Sequence, residues 1–158
     1  MMKYVETAVT FSEVPDEISL CINISECKIQ CLDCHSKYLW ESIGTDLTEE
    51  VLKDLIDKND GITCVSFMGG NPADVQDMCK VVRNNYPSLK TAWYTGLTLE
   101  KIPLGLDYSL LNFLKVGPYK KHKGGLDKET TNQSFYEIRA KDGYHYLVDC
   151  TYKFQKNG

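Results

Sequence analysis

The sequence predicts an α/β fold arranged as a partial, open parallel β/α barrel that ends in a β-hairpin. Three observations carry this. Apolar runs of strand length alternate with segments of helical period, an order that implies parallel pairing through crossover connections. Only about four such units fit before the pattern changes, too few for a closed eight-stranded barrel. The tail then reads as two strands around Lys141-Asp142-Gly143, where Asp-Gly favours a tight hairpin turn.

The apolar run from Ile18 to Ile24 is the first predicted strand, and a cysteine-rich loop follows it. A helix then starts after Leu47. Thr48 can cap its free N–H groups, Glu49 and Glu50 suit its positive end, and Leu47 can staple onto Leu52. Val51, Leu52, Leu55 and Ile56 make one apolar face before Asp60-Gly61 ends the element. Residues from Ile62 to Met68 read as a strand closed by Gly69-Gly70-Asn71-Pro72. A second helix buries Val75, Met78, Cys79 and Val82 and stops at Pro87. Thr91 to Tyr94 is a short third strand ended by Gly96, and Phe113 to Val116 is a fourth, ahead of Gly117-Pro118. The hairpin arms run from Gln133 to Arg139 and from Tyr144 to Val148.

At 158 residues the chain reads as one domain, 1–158, with no repeat or linker. Its 42% apolar and 25% charged content is that of a globular protein. A net charge of −4 argues against a nucleic-acid module, and Lys120, Lys121 and Lys123 read as a solvated loop. With neither a membrane-length apolar stretch nor a signal-peptide pattern, the expected location is cytoplasmic and away from membranes.

Three of the seven cysteines, Cys27, Cys31 and Cys34, form a C-x3-C-x2-C motif after the first predicted strand. Three thiolates on one tight loop can hold three irons of a cubane cluster and leave the fourth iron open to a substrate. Cys21, Cys64, Cys79 and Cys150 are scattered through apolar segments and read as core thiols. A zinc site is the competing reading, and it would need His35 or Cys21 as fourth ligand. In parallel α/β folds the active face lies at the carboxyl ends of the strands. The cysteine loop, Gly69-Gly70-Asn71-Pro72, Tyr94-Thr95-Gly96 and Lys115-Val116-Gly117-Pro118 all follow predicted strands, so they should share one rim.

These motifs resemble the radical S-adenosylmethionine (SAM) superfamily, and more narrowly the activating proteins of anaerobic ribonucleoside-triphosphate reductase. Gly69-Gly70-Asn71-Pro72 stands where the superfamily has Gly-Gly-Glu-Pro, and Trp93-Tyr94-Thr95-Gly96 is similar to a family strand end. Gly117-Pro118-Tyr119, Gly124-Gly125 and Thr130-Thr131-Asn132-Gln133 resemble the carboxyl-terminal signature. The resemblance covers roughly residues 8–138 and implies the radical SAM type of partial barrel.

The resemblance implies that Cys27, Cys31 and Cys34 ligate a [4Fe–4S] cluster and that the open iron binds the methionine part of SAM. Reductive cleavage would give methionine and a 5′-deoxyadenosyl radical, which takes a hydrogen from a glycine of the large reductase subunit. An external low-potential donor of the flavodoxin type would supply the electron. Gly69 and Gly70 would let backbone approach the methionine amino group. Thr95 would contact the nucleoside or methionine, and Lys115, Asn132 and Gln133 would organise the rim or the partner's glycine loop.

Two positions depart from the family pattern. Asn71 replaces a glutamate, so a neutral amide oxygen would face the substrate ammonium. Asp33 stands where many superfamily members carry an aromatic residue, which leaves adenine packing to His35 or to nearby backbone, with a structural donor role as the other reading of His35. Two further readings stay open: a different acceptor, either another glycyl-radical enzyme or a small molecule, and a binding module without turnover.

Overall fold

A computed structural model describes residues 2–25 and 44–155. Its centre is one mixed sheet of eight strands that does not close on itself. The strands are β1 (Lys3–Thr10), β2 (Ser19–Ile24), β3 (Thr45–Asp46), β4 (Cys64–Met68), β5 (Lys90–Tyr94), β6 (Phe113–Val116), β7 (Ser134–Lys141) and β8 (Tyr144–Asp149). They lie in the order β3-β1-β2-β4-β5-β6-β7-β8. The central strands β2, β4, β5 and β6 pair in parallel, as the alternating pattern predicts. Antiparallel strands flank them on both sides.

The amino-terminal flank corrects the sequence reading, which takes Ile18 to Ile24 as the first strand. β1 precedes it and pairs with β2 along most of its length. Its mixed burial shows why no clean apolar run announces it: Glu6 and Val9 are both exposed. At the other end the hairpin forms as expected. Lys141 pairs with Tyr144, and both turn residues take positive φ, 53° at Asp142 and 81° at Gly143, as a two-residue type I′ turn requires.

Two helices lie on one face of the sheet, α1 (Glu49–Asp57) and α2 (Pro72–Asn85). The Thr48 hydroxyl accepts the Val51 N–H at 3.2 Å, so the predicted cap is made. Leu52 and Ile56 of α1 join Val75, Cys79 and Val82 of α2 over Leu20, Ile22, Val65, Phe67, Trp93 and Leu114. The sheet's pleat sends alternate residues to the opposite face. There Cys64, Ala92, Tyr94, Phe113, Phe135 and Cys150 form a second cluster, which Val14 covers from the β1–β2 loop. The β5–β6 connection uses two short 3-10 turns, Leu99–Lys101 and Tyr108–Leu110.

Candidate iron–sulfur site

Because β2, β4, β5 and β6 are adjacent and parallel, their carboxyl ends fall on one edge of the sheet. Ser25, Gly69, Thr95 and Gly117 each follow one of these strands, so three of the four motifs expected on the rim lie on this edge and the chain enters the fourth from it. The segment 26–43, which holds Cys27, Cys31, Cys34 and His35, lies outside the described residues. It leaves from this edge at Ser25 and returns at Gly44. Its exit is anchored, since the Ser25 N–H and hydroxyl both donate to the Lys3 carbonyl, at 2.8 and 3.1 Å.

The rim residues are tied to one another. The Gly69 N–H donates to the Tyr94 carbonyl at 2.7 Å, and the Trp93 indole N–H donates to the Gly69 carbonyl at 3.0 Å. The Thr95 N–H reaches the Lys115 carbonyl at 2.9 Å, and the Gly117 N–H reaches that of Leu97 at 2.8 Å. The Lys115 ammonium then donates to the carbonyls of Gly117 at 2.8 Å and Thr95 at 3.3 Å. The turn after each strand is thus locked to its neighbour. A ligand at this edge would meet a preorganised surface.

Gly69 and Gly70 have φ of 97° and 94°, a conformation side chains rarely adopt. A Cβ at Gly70 would also sit 2.9 Å from Met2 Sδ and 3.0 Å from Val75 Cγ2, whereas Gly69 has ordinary room. The fold therefore needs both glycines for its own turn, beside any approach to a ligand. Asn71 is exposed and caps α2, with its Oδ1 accepting the Ala73 N–H at 2.9 Å. Buried Thr95 turns its Oγ1 to accept the Leu97 N–H at 3.1 Å.

Asn132 and Gln133 arrive at the rim from the β6–β7 connection. The Asn132 amide donates to the Pro118 carbonyl at 2.9 Å, and the Gln133 amide donates to that of Gly117 at 3.4 Å. The buried Asn132 Oδ1 has no partner among the described residues. Trp93 and Ser25 are rim residues to which the sequence reading gave no role. The indole could have been suspected, since Trp93 directly precedes the Tyr94-Thr95-Gly96 strand end.

The four remaining cysteines are all buried. Burial pushes the Cys64 and Cys79 thiols up to about 12 and raises that of Cys21, so all three favour the protonated form that does not ligate metal. Cys21 also sits within β2, 3.6 Å from the Thr10 hydroxyl. Among the described residues no group of three or more His, Cys, Asp or Glu side chains comes together. A three-thiolate motif leaving the rim at Ser25 fits an iron–sulfur cluster, whose irons take cysteine thiolates.

Residues 18–138, from just before β2 into β7, match the family described as the 4Fe-4S single cluster domain. The chain belongs to that family. It is an iron–sulfur protein, and the matched span contains Cys27, Cys31 and Cys34. No curated protein and no solved structure matches it. No helix among the described residues is long and apolar enough to cross a membrane.

Proposed function

We propose that this iron–sulfur protein is a radical SAM activase that installs a glycyl radical on the large subunit of anaerobic ribonucleotide reductase. The parallel half of the sheet is read as the partial barrel of that superfamily. The observation that carries this reading is the shared edge. There the exit of the cysteine segment at Ser25, the Gly69-Gly70 turn, Thr95 and Gly117 lie at the ends of four adjacent parallel strands.

When bound, the cluster supplies an open iron and a low-potential electron that splits SAM into methionine and a 5′-deoxyadenosyl radical. The chain's own residues do the holding. Cys27, Cys31 and Cys34 are the thiolate ligands. The Gly69-Gly70 turn presents backbone to the methionine end, with Asn71 offering its second lone pair to the ammonium. Thr95 has a hydroxyl proton to give the ligand, and His35 is assigned to the adenine side. Lys115 sets the positions of the Thr95 and Gly117 carbonyls.

The test is electron spin resonance of the reductase large subunit after incubation with this protein, SAM and dithionite without oxygen. A glycyl doublet is expected. Methionine without the doublet would redirect the radical to another acceptor, and absence of both would overturn the activase reading.

A further inference from the structure

Residues 117–133 join β6 to its antiparallel neighbour β7, a step for which two to five residues suffice. The extra length carries no helix or strand, yet its own side chains fold it. The N–H groups of Lys123 and Gly124 both donate to the Lys120 carbonyl, at 2.9 and 2.8 Å. The Thr130 hydroxyl donates to the Lys123 carbonyl at 2.6 Å, and the Thr131 hydroxyl to that of Gly124 at 3.0 Å. From the chain's far end, the Gln155 amide donates to the carbonyls of Leu126 and Lys128 at 3.2 and 3.0 Å. This is a built loop, and loops of this kind are frequently functional.

What it presents is positive charge. Lys120, Lys121, His122 and Lys123 are consecutive and exposed, on the turn that the two threonines pin. The acids of the loop are Asp127 and Glu129, and Asp127 lies 3.8 Å from Lys128. The turn is thus locally basic although the chain as a whole carries a net charge of −4. The loop also starts on the carboxyl edge at Gly117. Three strand spacings, about 14 Å, separate β6 from β2, where the cysteine segment leaves.

We propose that this lysine turn is the docking surface for an electron-carrier protein whose cofactor is ringed by acidic side chains. The proposal rests on the activase reading, in which each SAM cleavage consumes one electron from outside the chain. The carrier's reduced flavin loses one electron and the cluster gains it, with no bond formed or broken between the proteins. Opposite charge steers such encounters and acts chiefly on the association rate.

The probe is a flavodoxin in its hydroquinone form, mixed with cluster-loaded protein while absorbance follows cluster reduction. The variant combines Lys120→Glu, Lys121→Glu and Lys123→Glu. Its second-order rate at low salt should fall by about 10-fold or more, while the wild-type rate falls as salt is raised. Titration calorimetry with the oxidised flavodoxin should show a matching loss of affinity. Thr130→Val keeps every lysine but removes the bond to the Lys123 carbonyl, and should slow reduction to a lesser degree. Reduction by dithionite, and the methionine it yields from SAM, should stay near wild type in both variants.

Flavodoxin rates within about twofold of wild type in the triple variant, or a salt-independent wild-type rate, would overturn the docking surface. Loss of affinity for the reductase large subunit with unchanged flavodoxin rates would overturn it as well, and would give the lysines to that partner. Failure of dithionite to yield methionine from wild-type protein would sink the activase reading instead.

Discussion

The two faces of the central sheet are built from the same strands and differ in kind. Toward the helices, β2, β4, β5 and β6 send Leu20, Ile22, Val65, Phe67, Trp93 and Leu114, an apolar layer closed by α1 and α2. Toward the other side the same strands send Ser19, Cys21, Cys64, Ser66, Tyr94 and Lys115. That layer is smaller and more polar, and a loop covers part of it: the Tyr94 hydroxyl donates to the Glu13 carbonyl. The helix-covered face supplies the burial that holds the fold together. The opposite face carries groups able to meet a ligand, and at its carboxyl edge it ends in the rim.

The largest test of this contrast is a pair of truncations. Trp93→Ala removes a fully buried ring and the donor to the Gly69 carbonyl, and should cost about 3–5 kcal/mol in urea unfolding. Ser66→Ala, equally buried but on the other face, should cost about 1 kcal/mol. Similar losses at both positions would erase the distinction between the faces.

Both faces should respond to base, because each buries a thiol whose pKa is pushed up to about 12, Cys79 under the helices and Cys64 opposite, where burial also raises Cys21 and Tyr94. A thiol that ionises near 9.0 when unfolded and near 12 when folded adds stability that is fully present below pH 9. Above that pH the unfolded chain binds fewer protons than the native one, so stability falls as pH rises toward 12, by up to about 1.4 kcal/mol per unit for each thiol. Unfolding midpoints between pH 8 and 11 should show the decline, and Cys64→Ala or Cys79→Ala should each reduce its slope.

Smaller effects sharpen the picture at the rim. Gly70→Ala forces a Cβ against Met2 and Val75 at positive φ, and should destabilise by about 1–3 kcal/mol. Asn71→Ala removes the α2 cap and should cost about 1 kcal/mol, while Asn71→Asp keeps the cap. On the activase reading, Asp at 71 should also tighten SAM binding, because a charge-assisted bond is roughly twice as strong as a neutral one. Titration calorimetry showing unchanged or weaker binding by Asn71→Asp would remove Asn71 from the ligand shell.

Much of this was legible in the residues. Thr48 with Glu49 and Glu50 marks a helix start that forms as read, and Asp142-Gly143 encodes a turn that few other pairs can make. The three strand-end motifs among the described residues share an edge because parallel pairing leaves them nowhere else to go. β1 was not legible, since an edge-side strand of mixed burial has no clean alternation to betray it. The internal order of the exposed lysine turn was not legible for a different reason. Its order comes from Thr130 and Thr131, several residues further along, and sequence spacing does not reveal such bonds. Asn71 reads equally as helix cap and as ligand contact, and the cap is the part that geometry makes visible.

The central claim is a cluster with one open iron, held by Cys27, Cys31 and Cys34 at the rim. Its most direct test is electron spin resonance of anaerobically loaded, dithionite-reduced protein, recorded with and without SAM. The account predicts one [4Fe–4S] cluster per chain, a spectrum that shifts when SAM is added, and loss of the cluster on Cys→Ala at any of the three positions. A spectrum indifferent to SAM, or a cluster that survives those substitutions, would contradict it.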